Sequence, residues 1–287
     1  RFIRHLPLFL SDMTAFRSLP AIADRPLRDT ITAIPQPRSA EKAVFYAGCL
    51  IDFAYPETGE ALVRILNKAG VEVAFPEGQT CCGAPARYSG AYEVAAQNAR
   101  DNIRALLETE ARWVVSACPT CTVALKHDFL DTFRSLGMDD AIADAERLAA
   151  KVIDFSTLVK QLVDEGRLTF KEGEDLGRIT YHDSCHLKRT LKAEQPPRDL
   201  LTRAGHGIQE MAECDTCCGM AGSYSLKLPE ISAPILERKL KHIKETGAER
   251  VVMDCPGCVM QIRGGLDKDG SPVKAEHTAE RLEGRFQ

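Results

Sequence analysis

The sequence predicts an α/β protein made of two tandem, duplicated cysteine-rich units, each with a small, mostly parallel sheet, the two related by a pseudo-twofold. Three observations carry this. From residue 43 onward, apolar strand-like runs alternate with amphipathic helical runs, the pattern of a parallel sheet with crossover helices. A spaced cysteine pattern then occurs twice: 31 residues separate Cys49 from Cys81 and Cys185 from Cys217, while 35 separate Cys82 from Cys118 and 36 separate Cys218 from Cys255. Finally, the repeat extends beyond the cysteines, since "TEARWVVSACPTC" (109–121) matches "TGAERVVMDCPGC" (246–258) at Thr, Ala, Val-Val and Cys-Pro-x-Cys.

The expected boundaries are a lead-in over 1–40, a first unit over 41–177 and a second over 178–287. In the lead-in, "FIRHLPLFLSDM" has helical apolar spacing, and Pro20, Pro26, Pro35 and Pro37 break up any long element after it. The short helix is expected to pack on this protein or on a partner. In the first unit "AVFYAG" reads as a buried strand, "ETGEALVRILNKAG" as a helix closed by Gly70, and "VEVAF" as a second strand. "YEVAAQNARDNIRALLETE" is a long helix, "RWVVSA" a third strand, and Cys118-Pro119-Thr120-Cys121 opens another helix. Residues 137–177 are less patterned, with a strand end and a helix in "VIDFSTLVKQLVDEG". The series then restarts. "RITYHD" is a strand, 186–204 are largely helical, "IQEMA" is a short strand, "PEISAPILERKLKHIKETG" a helix and "ERVVMD" a strand before Cys255-Pro256-Gly257-Cys258.

In each repeat the cysteines follow the first, second and third strands. Ligands of open parallel sheets gather beyond the carboxyl ends of the strands, so these thiols are expected to converge on one site per repeat. Five thiols per site exceed the four of structural zinc, whereas iron–sulfur clusters have several irons to ligate. Adjacent cysteines suit neighbouring irons. The glycine after each pair is expected to let the backbone approach sulfide. In Cys-Pro-x-Cys, proline fits the first helical position, placing both thiols at a helix start whose free N–H groups offset thiolate charge. Zinc and uncoordinated thiols stay open as alternatives.

Eleven cysteines, an odd number, in 287 residues without a secretory signal speak against a disulfide framework. A net charge of −4 and scattered basic residues give no reason to expect nucleic acid. No apolar run is long enough to span a bilayer, so the expected location is cytoplasmic, peripheral to a membrane through partners. An amphipathic contact by the lead-in has only Arg1, Arg4 and His5 to support it. The chain begins at Arg1 rather than Met, which leaves open what precedes it.

Two copies of Cys-x31-Cys-Cys-Gly-x(35–36)-Cys-Pro-x-Cys resemble the cysteine-rich CCG domain pair of the heterodisulfide reductase B subunit and of the iron–sulfur subunits of glycolate and lactate dehydrogenases. "CCGMAGSYSLKLPEIS" with "CPGCVMQIRGGL" is most similar to the dehydrogenase branch. The resemblance spans about 41–265 and implies two four-iron clusters, non-cubane in the reductase and cubane in some dehydrogenase members. It implies Cys49, Cys81, Cys82, Cys118 and Cys121 for one cluster, and Cys185, Cys217, Cys218, Cys255 and Cys258 for the other. The implied partners are an FAD-containing dehydrogenase subunit, a ferredoxin-like cluster domain or subunit, and a quinone or other acceptor. The implied role is electron transfer from a flavoprotein that oxidises lactate or glycolate. The alternative is disulfide cleavage at a cluster; a zinc-stabilised interaction module is a third class. The ferredoxin-like Cys-x2-Cys-x2-Cys-x3-Cys-Pro runs of the dehydrogenase subunits are absent here.

Other residues read more plainly. Cys214 has Gly78 at its place in the first repeat and reads as a non-ligand. His182 and His186 flank Cys185, as local hydrogen-bonding groups or as donors to cluster sulfur. Tyr88 and Tyr224 each follow their Cys-Cys-Gly by five residues and are expected to pack on the site. Lys188, Arg189 and Arg263 suit an anionic partner or a solvated face. Neither a Ser/His/Asp triad nor a dinucleotide fingerprint is discernible, so no catalytic residue and no bound nucleotide are expected.

Overall fold

A computed structural model describes residues 2–6, 11, 13–171, 173 and 176–287. Its core is two parallel four-stranded sheets of identical strand order. The first contains β3 (Lys42–Phe45), β4 (Glu72–Ala74), β5 (Trp113–Ser116) and β6 (Val152–Asp154) in the order β4-β3-β5-β6. The second contains β7 (Arg178–Tyr181), β8 (Gly207–Ile208), β9 (Arg250–Met253) and β10 (Lys274–His277) in the order β8-β7-β9-β10. The duplication read from cysteine spacing is thus a duplication of topology.

In the first unit the connections are α2 (Gly48–Phe53), α3 (Pro56–Lys68), α4 (Ala84–Tyr88), α5 (Tyr92–Leu107), α6 (Pro119–Val123), α7 (Phe129–Leu136), α8 (Ile142–Ala149) and α9 (Phe155–Asp164). In the second they are α10 (Gln195–Arg203), α11 (Tyr224–Lys227), α12 (Pro229–Glu245), α13 (Pro256–Lys268) and α14 (Thr278–Leu282). A π-helical turn, Ala124–Asp128, joins α6 to α7; another, His186–Thr190, follows Cys185. The lead-in contributes α1 (Leu27–Thr30).

Strand alternation sorts the core into layers. Phe45 and Val115 of the first sheet, with Ile179, Tyr181 and Val252 of the second, face a central layer holding Leu62, Leu158, Leu200 and Leu282 of α3, α9, α10 and α14. Val44 and Val114 face an outer layer with α5 and α7, and Val251 and Met253 one with α12 and α13. Both sheet faces are covered, which is why the strands read as continuous apolar runs. Between units, α3 packs on α14 as α9 packs on α10, and α6 touches the turn after Cys185 as α13 touches α2. Such reciprocal contacts are what a pseudo-twofold axis generates.

Three expectations need correction or trimming. Of the helix expected over 2–13, residues 2–6 are not helical, while Ser11 and Met13 lie in a 3-10 turn. Phe2–Ile3 (β1) pairs antiparallel with Leu19–Pro20 (β2), and a proline at position 7 disfavours the helical region for the residue before it. Residues 7–10 and 12 of that stretch lie outside the described residues. The strand expected over 208–212 pairs only at Gly207–Ile208 before the chain turns toward the cysteine pair. Helix α2, which starts at Gly48 just before the first cysteine, and the pair β10–α14 were not anticipated.

Candidate metal centre

The cysteines lie where the strand ends place them. Cys49 and Cys185 follow the central strands β3 and β7; Cys118 and Cys255 follow β5 and β9 as N-caps of α6 and α13, with Pro119 and Pro256 at the first helical position. The carbonyls of Cys118 and Cys255 accept from Thr122 N–H and Val259 N–H, both at 2.9 Å, closing the first helical turn. These are the adjacent β3/β5 and β7/β9 positions where the strand order reverses, the usual ligand crevice of such sheets.

All ten repeat cysteines line one cavity of about 340 Å³, together with His182, His186, Thr120, Tyr88 and Met220. Expected as one site per repeat, the two sets instead share a continuous space. Side-chain hydrogen bonds run from Cys49 to Cys81, Cys82, Cys121 and Cys118 in the first set. Cys118 meets Cys255 of the second set, and the series continues to Cys258, Cys218 and Cys217. Cys218 Sγ and Cys258 Sγ are 3.4 Å apart, and His182 joins them within metal-binding reach. Cys185 makes no such bond but lies in the electrostatic field of Cys255 and Cys218. Cys49 and Cys217 are exposed at the mouth, while Cys82, Cys118, Cys121, Cys218, Cys255 and Cys258 are buried.

Crowded thiols split their proton affinities. Hydrogen bonds from Cys49 and then Cys82 hold Cys81 well below the usual thiol range, while the same contact and burial push Cys49 up. Cys217, then Cys258, and more weakly His182, hold Cys218 far below the usual range. Cys255 is pulled down by Cys118 and Cys258. Soft, thiolate-forming donors in such density are iron–sulfur or soft-metal chemistry.

Glycines shape the site, for a different reason from the expected approach to sulfide. Gly83 and Gly219 have φ of +75° and +87°, and a Cβ there would meet backbone of the following helices: Ala95 Cα at 3.2 Å and Ser232 O at 2.8 Å. They turn the chain and let α5 and α12 close in. Gly48 (φ +68°) does face the site, since its Cβ would lie 2.8 Å from Cys121 Sγ.

His182 is buried, with Nδ1 3.2 Å from the Cys214 carbonyl, which turns Nε2 to Cys218. His186 Nδ1 lies 2.9 Å from Thr120 Oγ1, and its ring stacks on Tyr88 at 6.3 Å, so the second repeat's histidine is held by the first repeat. Tyr88 lines the cavity and donates to Asp128 Oδ2; Tyr224 does not line it. Cys214 also lies outside the lining and donates to Asp183 Oδ2 at 3.5 Å. Lys188 pairs with Asp215 and Asp183, Arg189 donates to the Asp215 carbonyl, and Arg263 is held by the Ala275 carbonyl and Glu280.

Sequence reasoning missed three groups. His277 is fully buried at the end of β10; its Nδ1 accepts from Ala279 N–H, so Nε2 carries the proton and donates to the carbonyls of Ala117 and Asp254, both at 2.8 Å. Those residues precede Cys118 and Cys255, so one ring fastens the two sets together. Arg17 and Lys239 are buried beside the second set. Arg17 lies in the proline-punctuated lead-in, and Lys239 falls on a helical face; neither carried a sequence signal.

Among known proteins, the chain is 36% identical over 245 residues to "Lactate utilization protein A" of Halalkalibacterium halodurans, covering 84% of this chain and 96% of that one. It is 36% identical over 248 residues to "Lactate utilization protein A 1" of Bacillus mycoides, with the same coverage. A crystal structure of a hypothetical protein from Helicobacter pylori shares the fold, with a TM-score of 0.58 at 10% identity over 96% of this chain; this chain spans 53% of that one. The cysteine-rich CCG domain matches twice, over residues 43–126 and 179–263, the two stretches that build the sheets and bring their thiols together. The chain therefore belongs to the cysteine-rich CCG domain family.

Proposed function

We propose that this chain is the iron–sulfur electron-transfer component of a system that oxidises lactate or a similar 2-hydroxy acid. The observation that carries the reading is the single cavity in which ten thiols from two repeats meet through Cys118 and Cys255. The donors fit the group: each repeat offers five soft sulfur ligands, most of them buried, and Ser184 Oγ beside Cys185 is buried without a partner among the described residues. A tetrahedral zinc would leave one thiol of each five unused. Cys49, Cys81, Cys82, Cys118 and Cys121 would hold one cluster; Cys185, Cys217, Cys218, Cys255 and Cys258 the other. When bound, four-iron clusters supply one-electron acceptance and release.

Oxidation of a 2-hydroxy acid to a 2-oxo acid releases two electrons and two protons. A flavin on a partner subunit is suited to take both, after which the electrons leave singly. This chain's residues do the rest: they ligate, exclude water from the inner sulfurs and fix the gap between sets. Electrons would then pass to a quinone or another carrier, through a ferredoxin-like domain or subunit where one is present. The open mouth, with Cys49 and Cys217 exposed, favours one other reading, reductive cleavage of a disulfide at the cavity.

The test is iron, acid-labile sulfide and zinc per chain on protein prepared without oxygen. About eight irons with matching sulfide are expected for two four-iron clusters. Stoichiometric zinc without sulfide, persisting after anaerobic reconstitution, overturns the reading. Reoxidation of the reduced protein by disulfides, but not by quinones, would favour disulfide cleavage.

A further inference from the structure

We infer that Arg17, carried by the segment ahead of the first repeat, is the counter-charge of the second thiol set and raises the electron affinity of that set. The inference rests on the iron–sulfur reading above.

Arg17 is fully buried. Its Nη1 donates to Met220 Sδ at 3.3 Å and its Nη2 to Ser225 Oγ at 3.0 Å, both in the segment after Cys217 and Cys218; Nε has no partner among the described residues. The Phe16 ring lies 5.2 Å from the guanidinium. No carboxylate pairs with it among the described residues, and a buried charge without a partner costs several kcal/mol. The anionic group that chiefly supports its charge is Cys218, and although burial lowers its pKa to about 10, it is protonated at neutral pH. A guanidinium so placed is compensated when the sulfurs beside it carry negative charge.

The segment is fitted to deliver it. Ser18 N–H donates to the Gly264 carbonyl at 2.9 Å, and Ser18 Oγ to Asp267 Oδ2 at 2.6 Å, both on α13, the helix that starts with Cys255 and Cys258. A Cβ at Gly264 would lie 2.1 Å from Ser18 O, so only glycine lets the segment cross there. The other buried cation described, Lys239, also faces the second set, under the influence of Cys218, Cys214 and Cys258. No buried lysine or arginine among the described residues lies against the first set. Positive charge stabilises the reduced, more negative state, so Arg17 raises the electron affinity of the second set and offsets the buried Asp254 carboxylate that precedes Cys255.

The experiment is an anaerobic potentiometric titration followed by electron paramagnetic resonance. A Cys81→Ser, Cys82→Ser variant assigns the transitions, since it keeps only that of the second set. In Arg17→Gln, the second-set transition should fall by at least tenfold in its equilibrium constant, about 59 mV for one electron, with the first unmoved; Arg17→Lys should restore it. Ser225→Asp keeps Arg17 but pairs it with a carboxylate, and should lower the same transition, deciding the matter however Arg17→Gln folds. Second-set transitions that stay put, or two transitions that move together, in variants with full iron content overturn the inference. Absence of iron from the unmodified protein would instead overturn the functional reading on which it stands.

Discussion

The two thiol sets have the same sulfurs on the same strand ends, yet their surroundings differ. Around the first set the polar groups are mostly neutral, with one ion pair, Arg87–Asp128, behind Tyr88: Tyr46 donates to the Thr80 carbonyl at 2.6 Å, Asn102 Nδ2 to the Cys81 carbonyl at 2.9 Å, and the Gln79 side chain bridges Ala47 and Phe45. Around the second lie the basic groups Arg17, Lys239 and His182 and two buried carboxylates, Asp183, paired with Arg198, and Asp254, held by Ser156 and Tyr181. Before the first cysteine of each set stands Gly48 in one and Ser184 in the other, the latter buried with an unpartnered hydroxyl. The π-helical turns differ as well, following Cys121 in the first unit and Cys185 in the second. The difference teaches that the sulfur scaffold and the electrostatics around it are separable: backbone geometry fixes where the thiols stand, while charged side chains from outside the motif, or from its helices, fix how readily charge accumulates there.

The comparison breaks most sharply if the sets are not independent. Cys81→Ser with Cys82→Ser should halve iron and sulfide per chain and leave the other half intact, as metal analysis would read; loss of all iron would mean one shared site. Next is the turn after each cysteine pair. Gly219→Ala meets a left-handed φ and a carbonyl at 2.8 Å, and should cost about 3 kcal/mol from backbone strain and overpacking. Gly83→Ala, with its nearest atom at 3.2 Å, should cost about 1–2 kcal/mol. Denaturant midpoints of the two variants test the ranking, and equal losses would show that the turns are equally constrained.

His277→Phe removes the donor that fastens Ala117 to Asp254, leaving two buried carbonyls unpaired at about 1–3 kcal/mol for each unsatisfied group. It should lower the melting temperature and loosen the junction between the sets, whereas an unchanged melt would show that water takes over the carbonyls. The smallest effect is the pH dependence that one histidine of the second unit, His206, contributes. Burial first, then the charge of Arg281, lowers the pKa of His206 to about 4 from an ordinary 6.5. The unfolded chain takes up this proton first as pH falls, so the stability His206 contributes is intact above about 6.5 and is lost progressively down to about 4. His206→Gln should flatten stability over that window, as melts at several pH values would show.

Much of the site was legible because its signals are local. Cys118-Pro119 and Cys255-Pro256 announce capped helix starts, and the repeated spacing aligned the strands that carry them. The lead-in misread as a helix shows the limit: its period was helical, but pairing with Leu19–Pro20 overrode it at Phe2–Ile3. Cys214 was separable by sequence from its neighbours only through the repeat, where Gly78 has no thiol.

The sequence by itself determined the duplication, the α/β class and the ten thiols, because each is written in short-range order: period, punctuation and spacing. Tertiary structure alone decided that the two sets share one cavity through Cys118 and Cys255, that His277 ties their strands, and that Arg17 reaches the second set from more than two hundred residues away. Those facts depend on how two sheets pack across a pseudo-twofold and on which distant side chains the packing buries; no local pattern encodes the charge that burial brings to a site.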